Sequence, residues 1–490
     1  MTARFGHAGA GFRVDRGGPR RRSCVAMTRR RAALAAALAA PLVGCGLFVD
    51  TSEYTFDEGG GAGGASTSAT TAVGQGGGLV LAGAGGAMVS GGAGGSMGEG
   101  GEGGSACVPQ CNGVPCVDDG CGNPCPCSNG GTCSSAGECC PATWAISLPK
   151  SAYRLTLDSP SQALYVADDG GTVRRLRTCD GGASPANAAS LGSGFAPRVL
   201  EKVGGELYVA GQVTGSVRVH RFDAATLAPI GSPVTLPPPF ASPGNVVRLG
   251  ELGADGALWI NALTDGGGFG RFVPGQSPCY QDAFSTADHE TRGLAKIGAD
   301  IVFGVTPFNG TVTNFRVISP LSSAMGPCTA AAGPANYPPT SSVPLDMMGM
   351  GDEILFAASN GPLTAITRGV LGRSAPGGPM IERVYDPTPR IDAFTAVTHQ
   401  GGVVYTGGGM NGTIDMNGVV SGELRLLTFP SNFEADTAPI AEVVVSGAQI
   451  PWKMMIDADG LYVTGQATSS LAGFVMKCTL ALGCPVVPPP

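Results

Sequence analysis

A short apolar motif recurs seven times along this chain, and that repeat restricts the fold more than any other feature. The copies are Ala163-Leu-Tyr-Val-Ala167, Glu206-Leu-Tyr-Val-Ala210, Ala257-Leu-Trp-Ile-Asn261, Asp300-Ile-Val-Phe-Gly304, Glu353-Ile-Leu-Phe-Ala357, Gly402-Val-Val-Tyr-Thr406 and Gly460-Leu-Tyr-Val-Thr464. An apolar stretch and a tight turn precede each copy, as in Val199-Leu-Glu-Lys-Val-Gly-Gly205. A second turn follows, for example Asp169-Gly-Gly171, Asp265-Gly-Gly267, Asn309-Gly310, Asn360-Gly361 or Asn411-Gly412. Asn-Gly and Asp-Gly reach the positive φ of short hairpin loops without strain. A third strand then begins, as in Ser216-Val-Arg-Val-His-Arg-Phe222.

Copies about fifty residues apart have room for four short strands and their turns. A stacked β-helix uses shorter turns than this, and no long helical period follows Cys140, which argues against parallel βαβ units. The expected fold is therefore all-β: a seven-bladed β-propeller over 141–490, preceded by a disordered Gly-rich linker and a small disulfide-rich module. Leu164-Tyr-Val-Ala-Asp-Asp-Gly-Gly-Thr-Val-Arg-Arg-Leu176 resembles an NHL-type propeller repeat, and the other copies match it in outline. That resemblance implies a fold and not an activity.

The last copy lacks a fourth strand, because four prolines in Cys484-Pro-Val-Val-Pro-Pro-Pro490 remove ladder donors. Residues 142–149 are expected to supply it by pairing with 471–479. Cys478 and Cys484 flank a Gly-containing turn and are expected to form a local disulfide.

Residues 1–44 read as a signal region, with the true start at Met27. Met27-Thr-Arg-Arg-Arg31 is a basic segment and Ala32 to Val43 a short apolar one, too short to span a membrane. The twin-arginine pattern is touched by Arg29 and Arg30, but Ala32 and Ala33 fit it poorly. Leu42-Val43-Gly44-Cys45 resembles the bacterial lipobox, which implies that Cys45 is lipidated and becomes the new N-terminus. Gly46 in place of aspartate points, by the same likeness, to the outer membrane. Residues 45–106 form the lipidated end and a glycine-rich linker, with no apolar face to bury.

Nine of the 16 cysteines fall within 107–140. Their spacing lacks paired Cys-x₂-Cys knuckles and no His lies nearby, so disulfides in an oxidising compartment are expected over zinc. The Asp119-Gly-Cys-Gly122 core resembles the short Cys/Gly modules of secreted bacterial proteins. An odd count sends one cysteine outside the module, and the closure just described would bring Cys139 and Cys140 near Cys478 and Cys484.

Nine arginines against one acid in the first 44 residues leave the remainder more acidic than the whole-chain −7. Without a basic patch, nucleic acid is excluded as a partner. The partners expected are a membrane, through the lipid anchor, and an unknown protein, glycan or small ligand.

His220, His289 and His399 fall at different places in different repeats, and no Gly-x-Ser-x-Gly or His-Glu-x-x-His motif occurs. The residues placed to crowd one face of the ring are Tyr153, Asp168, Asp169, Arg198, Asn245, Arg292, Asp346, Asp392 and Trp452. They form the candidate binding face. Turn Asn and Asp also occur for backbone geometry alone. No cofactor is called for, although oxygens of this set could hold calcium. The expected function is a tethered surface lipoprotein with a binding propeller. The alternative is a propeller hydrolase or lyase with a central metal.

Overall fold

The apolar motifs become the second strands of seven four-stranded antiparallel sheets. The structure is a computed structural model. It describes residues 115–117, 125–127, 131–133, 137–213, 216–236, 246–252, 257–263, 268–282, 289–307, 312–318, 333–360, 368–385, 391–414, 420–468 and 472–489. The expectations for the signal region, Cys45 and the glycine-rich linker lie outside them.

Six of the sheets are each cut from one continuous run of chain, and we number them blades 1 to 6. Their inner strands are Ala152–Asp158, Ala196–Val203, Val246–Leu252, His289–Ile297, Ser342–Met350 and Ile391–Gln400. The seventh sheet, blade 7, is composite. Its inner strands are Ala448–Asp457, Gly460–Ala467 and Gly473–Cys478, and its outer strand is Trp144–Leu148 from the other end of the chain. Trp144 pairs with Lys477 and Leu148 with Gly473, the closure expected from the proline-rich C-terminus. Each inner strand contacts the next, and the last contacts the first, so the sheets form a closed ring. The fold is an all-β propeller.

Why these sequences form these strands follows from where they are buried. Tyr165 packs toward blade 2, while Leu164 and Val166 pack toward blade 7. A strand covered on both faces has no polar side, hence the unbroken apolar run of the motif. The same division repeats around the circle. The seven hydrophobic clusters each lie between consecutive sheets, and one of them joins blade 7 to blade 1.

Every inner strand also carries a β-bulge. The extra residue is Tyr153 in blade 1, Arg198 in blade 2, Gly293 in blade 4, Leu345 in blade 5 and Trp452 in blade 7. Blade 6 has two, at Asp392 and Thr395, and blade 7 has a second at Gln449. A bulge bends a strand and increases its twist, and here each one falls on the strand next to the axis. Gly293 shows the packing limit. Its φ is +65°, and a Cβ there would fall 2.2 Å from Met347 Sδ of blade 5.

The cysteine pairs of the small module are partly visible. Cys116–Cys133 and Cys127–Cys139 are disulfides, and Thr132–Cys133 pairs with Cys139–Cys140 in a two-stranded sheet. Cys478–Cys484 forms the expected local disulfide, with Cα atoms 4.4 Å apart. The exit from the module differs from expectation. Cys140 bonds Cys179 at the end of the third strand of blade 1, not a C-terminal cysteine. The reason is the face of the sheet. Trp144, which follows Cys140, packs toward blade 1, whereas Cys478 is buried on the opposite face toward blade 6. Among the described residues no helix is long and apolar enough to cross a membrane.

Candidate functional site

The bulges bring together much of the face expected from sequence. Tyr153 and Trp452, extra residues of neighbouring blades 1 and 7, pack against each other in a tilted pair with ring centroids 5.0 Å apart. The Arg198 guanidinium lies over the Tyr153 ring, 4.2 Å from its centre. Arg198 also donates to Asp169 Oδ1 at 3.0 Å and to its neighbour's carbonyl, Pro197 O, at 2.9 Å. Burial, then the Asp169 carboxylate, push the Tyr153 phenol well above its usual range. Burial also raises Asp169, and Arg198 offsets part of that rise.

A second group lies on the axis. Asp346, 2% exposed, accepts from Lys453 Nζ at 3.1 Å and from the backbone N–H of Val397 at 3.1 Å. Arg154 donates to the carbonyl of Arg198, and Thr395 donates to that of Pro451. Burial lowers Arg154 to about 10, with Asp346 acting in the other direction; it stays protonated at neutral pH. The carbonyls and N–H groups engaged here belong to the bulged stretches, where the ladder is interrupted. Side chains of the next blade therefore satisfy backbone groups that the bulges set free. Among the described residues, a cavity bordered by Arg154, Arg198, Asp346 and Lys453 measures about 30 Å³, roughly the room one or two waters need.

The remaining expected residues divide. Asp168 is spent on its own turn: Oδ1 accepts from Gly170 N at 2.9 Å and Thr172 N at 3.2 Å, and Oδ2 pairs with Arg174 at 3.3 Å. Burial raises its pKa against those partners. Arg292 and Asp392 lie on inner strands of blades 4 and 6, but their side chains are outside the described residues, as is Asn245 altogether. Arg154, Thr395 and Lys453 were not among the sequence candidates. Two of them sit one residue after a candidate, displaced by the bulge.

This donor set is a poor fit to an oxygen cage for calcium. Asp168, Asp169 and Asp346 each face a cation of the chain itself, Arg174, Arg198 and Lys453. The sulfurs of Cys116, Cys127 and Cys133 lie within 4.8 Å of one another. They belong to two adjoining disulfides and are not thiolates, so they do not form a zinc set.

The larger opening lies at the other end of the blades, between blades 5 and 6. Its volume is about 420 Å³, within the range of small-ligand sites. Asp352, Glu353 and Arg373 of blade 5 face His399, Ser431 and Asn432 of blade 6 across it. Arg373 is held in place by Phe433 O at 2.9 Å, Glu353 at 3.2 Å and Glu434 at 3.3 Å, and it lies over the Phe433 ring. His399 Nε2 is 3.2 Å from Gly349 O. No motif in the sequence singles out this groove, whose lining is drawn from exposed turns of two neighbouring blades.

No family model matches the chain, and no curated protein sequence matches it. Among solved structures it is similar to the β-propeller domain of Myceliophteria thermophila Cps50 (Swd1), at 13% identity and a TM-score of 0.46, covering 68% of this chain and 98% of that one. It is also similar to the Dos1 propeller, at 11% identity and a TM-score of 0.43, covering 69% and 82%. The architecture rests on the ring of sheets itself.

Proposed function

We propose that this chain is an exported lipoprotein, anchored at the outer membrane through Cys45, whose propeller is a binding scaffold for a protein, glycan or small ligand. The observation that carries the scaffold reading is the mutual pairing of the described charged groups near the axis. Charged groups that a propeller hydrolase or lyase would aim at substrate are here paired with each other and with bulged backbone. Recognition then falls to the outer surfaces, where the groove between blades 5 and 6 offers about 420 Å³. The lipobox-like segment supports the anchor.

Two experiments test the two halves separately. Mass spectrometry of the mature N-terminus should find acylated Cys45, and Cys45→Ala should release the protein from membranes; an unmodified N-terminus at another residue refutes the anchor. For the scaffold, full-length protein should capture a component of envelope extract that an Asp352→Lys/Asn432→Trp variant of equal circular dichroism fails to capture. Equal capture by both proteins removes the groove from the proposal. Metal-dependent turnover lost in Asp346→Asn would instead establish the enzyme.

A further inference from the structure

The blade where the ring closes is fastened differently from every other blade. In each of the other six the four strands follow one another along the chain. In blade 7 the chain is discontinuous between Gly473–Cys478 and the outer strand, and the sheet is completed by a five-residue strand, Trp144–Leu148, of which only Trp144 and Leu148 are buried. A short strand at the edge of a sheet and at the start of a domain is the part that opens most readily.

Three contacts, all from blade 1, hold its first residue in place. Cys140, four residues upstream, is bonded to Cys179. Trp144 Nε1 donates to Thr178 O at 3.0 Å. The Trp144 ring lies against Gly181, where a Cβ would come within 2.6 Å of it and φ is +68°. All three partners lie in one turn, 178–181, so the disulfide sets the position from which the indole can reach its site. The far end of the strand is held by the C-terminal tail instead. Ser147 donates to Pro488 O, and Val487 N donates to Ser446 O at 3.0 Å, beyond the Cys478–Cys484 clip.

We propose that closure of the propeller is gated by oxidation: the strand Trp144–Leu148 keeps blade 7 complete only once Cys140 and Cys179 are joined. The two thiols lose two electrons and two protons as the S–S bond forms. A disulfide donor of the oxidising compartment takes them up and leaves as two thiols. In a reducing compartment the outer edge of Gly473–Cys478 would stay open, and the ring would finish closing only after export. This inference does not rest on the lipid anchor.

The test is hydrogen–deuterium exchange on the full-length protein. In Cys140→Ser/Cys179→Ser, amides of 144–148 and 473–477 should exchange about a hundredfold faster than in the oxidised wild type. Those of 207–210 and 354–358, in blades 2 and 5, should keep their protection. Unchanged exchange at 473–477 overturns the proposal. A uniform increase in all blades does so too, because the bond would then only add general stability. If the variant does not fold, folded wild-type protein is treated with graded thiol reductant. The same peptides are then followed while mapping identifies the sample in which Cys140–Cys179 alone has opened, and the same two outcomes decide.

Discussion

His220 lies on the third strand of blade 2 between two phenyl rings, edge-on to Phe195 at 4.8 Å and stacked with Phe222 at 6.2 Å. Burial, and secondarily Arg218, hold its pKa below the ordinary value. The folded chain therefore keeps a neutral imidazole where the unfolded chain takes up a proton, near pH 6.5. Stability present above that pH is lost as pH falls from about 6.5 toward the lowered value of the folded state. His220→Gln should flatten this part of the curve, seen as a thermal midpoint that declines less on acidification than the wild type's. Parallel curves would show that the ring is not the titrating group. Trp144 acts through packing rather than charge. Trp144→Ala removes a nearly buried indole and the donor to Thr178 O, and should cost about 3–5 kcal/mol in chemical denaturation.

Bulges are the element-scale device that organises the axis, and they set what a sequence reader can find. The second strands were legible because burial on both faces makes them continuous apolar runs. Tyr153, Arg198 and Trp452 were legible because they open the inner strands at similar points of the repeat. Arg154 and Lys453 were not, because an extra residue shifts the two-residue alternation by one and sends the following side chain to the axis. The partner of Cys140 was misjudged for a related reason: closeness along paired strands says nothing about which face a side chain takes. Asp346 ties three blades together through Lys453 and Val397 N. Asp346→Leu alone should cost roughly 3 kcal/mol, since it strands Lys453 and a backbone donor. Adding Lys453→Met should recover part of that loss in a denaturation cycle. If the two substitutions simply add, the pair is not coupled.

At the scale of the whole molecule, stability is shared among seven layers between sheets, and each sheet belongs to two of them. No blade is free to open alone without exposing apolar surface on both sides. The composite blade has a further consequence, which concerns the order in which the protein is made. Trp144 and Lys477, paired in the finished ring, are separated by more than three hundred residues of chain. Such a contact has a large loop to close and forms late. The first propeller strand to be synthesised must therefore wait, unpaired, for the last. Cys179, by contrast, follows soon after it, so once both have entered the oxidising compartment a bond from Cys140 can hold the waiting strand beside blade 1 until the last strand arrives. The cysteine that ends the N-terminal module would then be a placeholder during biogenesis, keeping one half of the closing pair at its post until the other half arrives.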